Sequence, residues 1–328
     1  MTQKETIKYL ADKILTECVK AHSPSLYNGK AGYALSLFIA SGSLREKQME
    51  EKALILMQEA LIVNIGDLSF EDGLAGVGYV LLYLIENRYL EADFDEIFSL
   101  QYKQIIHILN RIDKEPLQLL RLYRVIYFLT KVRYVKVKDF SRIQASIKKI
   151  FEGLELFLMI QFNDFADLQY INKKEEVLDI FKTCLKLIDY SDYSDFSRII
   201  IDDYATLFRK GKIVSSLEIG YYLQNIAEKN NMKGYEDVIH ENIYYGTKHI
   251  YSCTLSLKES IELEKSAYRV KNEAINEFEK LSDMQGMNIE KMIRHFEKTA
   301  DRNCNPFGYG AGLARLLIYL TDKNIELL

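Results

Sequence analysis

The chain has 328 residues, of which 48% are hydrophobic and 27% are charged, a balance that excludes disordered and fibrous classes and is typical of a globular protein. Its formal net charge of −4 offers no broad positive surface to a phosphate backbone, so we expect no nucleic-acid partner. Because a closed helical array can hold this length around one core, we expect a single domain over residues 1–328.

The first predicted element is an amphipathic helix. The chain contains three prolines and sixteen glycines, too few for the many turns of a sheet protein, so helices should dominate. Apolar residues from Ile7 to Cys18 recur at the spacing of one buried helix face, which predicts a helix from about Lys4 to Ala21. The Ser23-Pro24-Ser25 stretch then interrupts the chain.

Three further helices are strongly apolar, and each is predicted to start at a turn that contains glycine and small residues. The turns and the helices that they open are Asn28 to Gly32 before a helix through Phe38, Asp72 to Gly76 before Val77 to Ile85, and Asn305 to Gly312 before Leu313 to Leu320. Helical periodicity also predicts helices at residues 44–63, 117–132, 143–162, 177–188 and 199–208. Asp93, with Glu96 three residues later, has the pattern of a helix start.

The three turns align at their Ala-Gly pairs, Ala31-Gly32, Ala75-Gly76 and Ala311-Gly312, which indicates an internal repeat. Gly32 lies 44 residues before Gly76 and 280 before Gly312, or six steps of about 47, the size of one helical hairpin. Alternating apolar and amphipathic helices then predict an all-α fold, an α/α toroid of about seven inner and seven outer helices. An open superhelical solenoid is the alternative.

Targeting and membrane signals are not apparent. The segment from Met1 to Lys13 carries charges among its apolar residues, so no signal peptide is expected. The longest nearly uncharged stretch, Gly73 to Ile85, is shorter than the ~18 residues of a membrane span. The four cysteines form no CxxC pair, which favours reduced thiols and a cytoplasmic location.

The glycine turns resemble motifs of the lanthionine synthetase C-like family. The stretches that carry the resemblance are Leu26 to Gly32, Phe70 to Gly78 and Gly308 to Leu313, each at the start of an apolar helix. The resemblance implies a double layer of helices around a central cavity that accepts a peptide. It also places eight residues of the turns at the rim of that cavity: Gly29, Gly32, Asp72, Gly73, Gly76, Gly308, Gly310 and Gly312.

In active members of that family, zinc held by two cysteines and a histidine activates a peptide thiol for addition to a dehydrated serine or threonine. The family's Trp-Cys-x-Gly and Cys-His-Gly motifs are missing, because the chain has no tryptophan and none of its four cysteines precedes a histidine. No zinc ligand transfers by motif, so no cofactor is expected. The resemblance then implies a protein of ribosomal-peptide maturation that binds a precursor peptide or a peptide-modifying enzyme, without the zinc-dependent step.

An active thioether-forming cyclase with relocated zinc ligands is one alternative. His249 and Cys253 stand four residues apart and share one face if they lie on a helix, and Cys304 lies just before the last turn. The simpler interpretation is two half-buried side chains and an incidental thiol.

A carbohydrate-active α/α toroid is the other alternative, because glycan-cleaving enzymes of this architecture need two carboxylates that face one bond. Glu71, Asp72 and Asp301 lie near the turns and are the candidate acid and base. For Asp72, however, we favour the role of N-cap of the following helix.

Overall fold

The computed structural model describes residues 2–63, 66–112, 116–165, 171–249, 261–262, 305–310 and 312–322, with the backbone alone at 116, 117, 171 and 249. Within these ranges the chain forms α-helices and two short 3-10 helices and no β-strand, which confirms the all-α class. None of the helices in these ranges combines the length and the apolar character that crossing a bilayer requires.

In chain order the helices are α1 (Gln3–Glu17), α2 (Lys30–Leu44), α3 (Lys47–Ile62), α4 (Leu74–Glu86), α5 (Phe94–Arg111), α6 (Pro116–Leu119), α7 (Val125–Val135), α8 (Phe140–Asn163), α9 (Ile171–Ser191), α10 (Ile199–Arg209), α11 (Leu217–Lys229), α12 (Glu236–His249) and α13 (Leu313–Thr321). From α1 to α12 the helices follow one another along the chain, and α13 comes after a stretch that lies largely outside the described residues. They pack as two compact units. Unit 1 contains α1 to α5 and α13, unit 2 contains α6 to α12, and the boundary falls in the last turn of α5. The single domain over residues 1–328 stays a prediction.

Unit 1 has two layers of helices. The helices α2, α4 and α13 are buried on nearly every side, as expected of helices that are apolar all round. By contrast, α1 and α3 bury one face only. Helix α2 packs against α4 and α13 within the buried layer, whereas α1 and α3 pack against it from outside. The predicted alternation of apolar and amphipathic helices is therefore confirmed within this unit.

Unit 2 repeats this layering. Helix α9 packs against α7 and α11 in one layer, and α10 packs against α8 and α12 in the other. The pairs α7 with α8 and α11 with α12 connect the two layers. The helices predicted at residues 143–162, 177–188 and 199–208 are confirmed as parts of α8, α9 and α10.

The continuous helix predicted at residues 117–132 is wrong. The chain is helical at α6, leaves the helix after Leu119, and begins α7 at Val125. Between them, the amide of Leu122 donates to the carbonyl of Leu119, and the amide of Val125 donates to the carbonyl of Leu122. The break lets the fully buried Leu119 side chain pack directly over Gly153 of α8, where a Cβ would lie 2.3 Å from the leucine Cδ1.

Helices α11 and α12 approach each other closely in unit 2. Helix α11 begins after Ser216, whose hydroxyl accepts a hydrogen bond from the amide of Ile219. Gly246 of α12 lies against this helix start, so that a Cβ at Gly246 would lie 2.3 Å from the backbone nitrogen of Leu217. Since two backbones meet there, no flexible side chain can move aside to make room.

We expect the substitution Gly246→Ala to lower the free energy of unfolding by roughly 1–2 kcal/mol. The overpacking costs about 1–3 kcal/mol, and the higher helix propensity of alanine offsets up to about 1 kcal/mol of that. Urea unfolding followed by circular dichroism measures the effect. The matched control is Gly42→Ala in α2, where a Cβ meets only the half-buried Tyr89 ring, at 3.3 Å. Equal stability of the two variants would contradict the close crossing.

Candidate functional site

Three glycines that precede apolar helices of unit 1 share one backbone conformation. Gly29 before α2 has φ −134° and ψ −169°, Gly73 before α4 has −118° and −168°, and Gly312 before α13 has −114° and −166°. We call the segments that end at these glycines the first turn (residues 23–29), the second turn (67–73) and the third turn (306–310 and 312). The alignment of Gly312 with Gly32 and Gly76 was therefore wrong: Gly312 corresponds to Gly29 and Gly73.

A main-chain carbonyl caps the helix after each turn. The amide of Lys30 donates to the carbonyl of Ser23 at 2.9 Å. Leu74 donates in the same way to Asp67 at 3.0 Å, and Leu313 to Pro306 at 2.9 Å. None of the three cap glycines is assisted by a side-chain cap. The prediction that Asp72 is the N-cap of α4 is thus wrong, because Gly73 takes that position and a carbonyl supplies the acceptor.

The carbonyl caps require the cap residue to be glycine. A Cβ at Gly29 would lie 2.4 Å from the oxygen of Ser23. The corresponding distances are 2.6 Å from Gly73 to Asp67 and 2.4 Å from Gly312 to Pro306. Because the first amide of each helix is already bonded to its own turn, these helix starts offer less to an anionic ligand than open N-termini do.

Backbone hydrogen bonds join the three turns side by side. The amide of Gly310 in the third turn donates to the carbonyl of Tyr27 in the first turn at 3.0 Å. The amide of Tyr27 in turn donates to the carbonyl of Glu71 in the second turn at 2.9 Å. These three residues occupy equivalent positions, each two residues before a cap glycine. The repeat is therefore one of hydrogen-bonding pattern as well as of sequence.

The second glycine of each of the first two motifs receives a side chain from the adjacent turn. A Cβ at Gly32 would lie 2.0 Å from the oxygen of Leu26 and 2.8 Å from the Cβ of Tyr309. A Cβ at Gly76 would lie 2.0 Å from the oxygen of Phe70 and 2.9 Å from the Cβ of Leu26. Each adjacent turn thus fits into a notch that only glycine leaves open.

All seven glycines predicted at the rim are buried. Gly308 and Gly310 both approach Tyr27, since their Cβ atoms would lie 2.4 Å from its oxygen and 2.8 Å from its Cδ2 respectively. The structure therefore gives these glycines a packing role. Solvent reaches other residues of the same turns: Asp72 is exposed, and Tyr27, Asn28 and Glu71 are half-exposed.

Arg315 occupies the place on α13 that Gly32 and Gly76 occupy on their helices. Its side chain is fully buried, and its Nε donates to the carbonyl of Tyr309 at 2.9 Å. The guanidinium lies 4.8 Å from the centre of the Tyr309 ring, and its Nη1 lies 3.7 Å from the Oε1 of Glu262. Sequence reasoning missed this residue, because one arginine in an apolar helix carries no motif of its own.

A second missed contact joins the first and third turns through side chains. The side-chain amide of Asn305 donates to the Tyr33 hydroxyl at 2.7 Å, and its backbone amide donates to the Oδ1 of Asn28 at 3.3 Å. Burial raises the pKa of Tyr33 to about 12. The sequence shows an asparagine at 28 and at 305, but these positions are 277 residues apart along the chain, and no local pattern predicts their contact.

Asp72 is the titratable group of the turns whose environment is clearly altered. Partial burial raises the pKa of its carboxyl group, and the nearby carboxylates of Glu71 and Asp67 raise it further, whereas a hydrogen bond from Ser25 lowers it. Glu71 and Asp72 belong to one turn rather than to opposing walls, which is not the arrangement of two carboxylates across one bond. Asp301, the third candidate, lies outside the described residues.

Two of the three candidate zinc ligands lie outside the described residues, and the third is described by its backbone alone. His249 is the last residue of α12 and its side chain is not described, and both Cys253 and Cys304 lie outside the described residues. Within the part of the chain that the structure describes, no three histidine, cysteine, aspartate or glutamate side chains gather as a metal site would require. The described thiols, Cys18 and Cys184, are buried, and burial raises the pKa of both, which makes them poor nucleophiles.

Comparisons with protein-family models, curated proteins and solved structures find no match to this chain. The resemblance to lanthionine synthetase C-like proteins accordingly rests on the sequence motifs of the turns. It remains a proposal.

We expect Arg315→Leu to lower the free energy of unfolding by about 3–5 kcal/mol, because it removes one member of a buried ion pair and leaves the Tyr309 carbonyl without this donor. Arg315→Lys keeps the charge but not the planar set of donors, so it should lower the free energy of unfolding less than Arg315→Leu does. Urea unfolding of the three proteins tests the order. A leucine variant as stable as the parent would show that the guanidinium does not hold the third turn.

The raised pKa of Tyr33 predicts a pH effect. The folded protein retains the phenolic proton up to about pH 12, whereas an unfolded tyrosine loses it near pH 10. The contribution of Tyr33 is therefore complete below pH ~10 and declines as the pH rises toward the folded pKa. The free energy of unfolding of the parent should fall more steeply above pH ~10 than that of Tyr33→Phe. Parallel curves from denaturant titrations at several pH values would count against the buried hydroxyl.

Proposed function

We propose that the chain is a lanthionine synthetase C-like α/α toroid that acts in the cytoplasm in the maturation of a ribosomally synthesised peptide. In this proposal it binds the precursor peptide or a partner modifying enzyme and does not carry out the zinc-dependent cyclisation. Zinc at His249, Cys253 and Cys304, and with it an active cyclase, is the competing hypothesis.

The observation that carries the proposal is the hydrogen-bonded series of three glycine turns. The cap glycines of the turns share one backbone conformation, and the bonds from Gly310 to Tyr27 and from Tyr27 to Glu71 place the turns side by side. Two layers of helices in each unit are what repeated hairpins of a toroid produce. This supports the extension of the series to a full set of about seven hairpins.

The exposed side chains of the turns suggest the chemistry of the bound segment. Asp72 is exposed, Glu71 is half-exposed, and Asp67 contributes a third carboxylate to the same turn. Tyr27, whose backbone amide bonds to the carbonyl of Glu71, adds a half-exposed aromatic ring that lies 5.9 Å from the ring of Tyr309. We therefore propose that the turns favour a peptide segment with cationic and apolar residues.

The proposed absence of cyclase chemistry follows from the sequence. A zinc-bound thiolate adds to the double bond of a dehydrated residue, and the α-carbon then takes a proton. The family motifs that would hold the zinc are missing. The two described thiols, Cys18 and Cys184, are buried and burial raises the pKa of both, so neither is an activated nucleophile.

A peptide that contains both a cysteine and a dehydroalanine tests binding and chemistry together. We expect the purified protein to bind this peptide, measured by fluorescence anisotropy, and to leave its thiol free to react with iodoacetamide. Thioether formation does not change the mass of the peptide, so protection from alkylation, read by mass spectrometry, reports the reaction. Asp72→Asn should weaken binding by about twofold to tenfold if a cationic segment contacts this turn.

Metal analysis provides the complementary measurement. We expect less than one zinc per chain, and the same content in the variant with His249→Ala and Cys253→Ala. Stoichiometric zinc that these substitutions remove, together with protection of the peptide thiol, would establish the active cyclase instead. Failure to bind the peptide in any form would overturn the peptide-binding role, and failure to bind the partner modifying enzyme as well would overturn the proposed function.

A further inference from the structure

Apolar side chains are concentrated at the corner between α7 and α8, residues 134–142, which we call the α7–α8 corner. Exposed fractions there are 65% for Tyr134, 44% for Val135, 71% for Val137 and 48% for Phe140. These four lie within seven consecutive residues. No other stretch of seven in the described part of the chain has more than two large exposed apolar residues.

Cations alternate with these apolar side chains. Lys138 and Arg142 are exposed and Lys136 is half-exposed, whereas Asp139 is the one acidic residue of the corner. The corner is therefore locally basic in a chain whose net charge is −4. The excess of positive charge is therefore a property of the corner, and only this part of the surface would attract an anionic partner.

The aromatic ring at the start of the corner is held in place. The buried Arg133 donates from its Nη2 to the Tyr134 hydroxyl at 2.8 Å, and its guanidinium carbon lies 4.9 Å from the ring centre. Val137 and Lys138 are held in a short 3-10 helix, Val137–Asp139. The exposed apolar groups thus project from ordered backbone and pay little entropy on binding.

The mixture of exposed apolar and cationic residues at the corner favours a lipid surface over a protein partner. Lysine is depleted from the cores of protein–protein interfaces, whereas here lysines stand between the apolar residues. An anionic bilayer accepts this mixture, because aromatic and aliphatic groups enter the boundary of the acyl chains while cations remain with the phosphates. The helices in the described ranges do not span a bilayer, so such an attachment is peripheral.

We infer that the α7–α8 corner docks on an anionic membrane surface. The side chains of Val137 and Phe140 enter the interfacial region, and Lys138 and Arg142 lie at the level of the lipid phosphates. This inference does not depend on the proposed function, since it uses no residue of the three turns.

Flotation with lipid vesicles tests the inference on the full chain. We expect the protein to float with vesicles of phosphatidylcholine and phosphatidylglycerol in equal amounts and to stay behind with vesicles of phosphatidylcholine alone. High salt should release it, because salt screens the attraction of the cations to the phosphates. Val137→Asp should weaken binding at least about tenfold, because it removes the favourable free energy of burying a valine side chain. Lys138→Gln should weaken it about fivefold.

Val19→Asp is the matched control. Val19 is 70% exposed and also lies in a short 3-10 helix, Cys18–Lys20, so its substitution changes the same residue type in a similar setting. We expect this variant to bind like the parent. Circular dichroism and urea unfolding of both aspartate variants confirm that the fold is retained, as expected for exposed positions.

Three outcomes would overturn the inference. The first is equal binding of Val137→Asp and the parent to anionic vesicles. The second is equal binding of the parent to both kinds of vesicle, which removes the role of the cations. The third is the absence of vesicle binding by the parent. If the parent then shows a concentration-dependent self-association that Val137→Asp abolishes, the corner is a contact between two copies of the chain.

Discussion

The first backbone amide of a helix has no partner within that helix, and in unit 1 the preceding turn supplies one from its own main chain. For α2, α4 and α13 the acceptor is the carbonyl six residues before the cap glycine. This geometry brings the carbonyl so close to the cap residue that a Cβ does not fit. The positions of the three cap glycines depend on this requirement, and they set where each of these apolar helices begins.

The requirement separates the residues that build the turns from those that a ligand meets. The glycines that carry the family resemblance are buried against backbone, so any ligand at the turns would meet the side chains between them, such as Tyr27 and Asp72. Retaining the glycines is therefore compatible with losing an enzymatic activity. A chain with this frame can keep its architecture while the residues that face solvent change.

Much of unit 1 could be predicted from the sequence, because long apolar runs after glycine leave little choice of structure. The starts of α2 and α4 follow from Gly29 and Gly73, but the third motif was aligned by matching letters, which shifted Gly312 by three positions. The backbone hydrogen bonds of the folded chain determine which residue of the third motif corresponds to Gly29 and Gly73, and these bonds cannot be read from the sequence. Arg315 was missed because its partners, Tyr309 and Glu262, come together only in the folded chain.

Unit 2 was harder to predict for a related reason. Its helices lack the glycine signals, so periodicity alone had to locate them, and periodicity continues through the break between Leu119 and Val125. At the break, Leu119 packs over Gly153, which lies on a different helix. Such a long-range contact has no local signature.

The burial of Arg315 also bears on how the third turn is attached to its helix. Gly32 and Gly76 leave room for a side chain of an adjacent turn, whereas the equivalent position on α13 carries a long charged side chain. The Nε of Arg315 bonds to the Tyr309 carbonyl, which is the counterpart of the Leu26 and Phe70 carbonyls that crowd Gly32 and Gly76. The third turn is thus anchored to its helix by a side chain where the other two rest directly on backbone, so a change at residue 315 alone would loosen one turn and leave the other two intact.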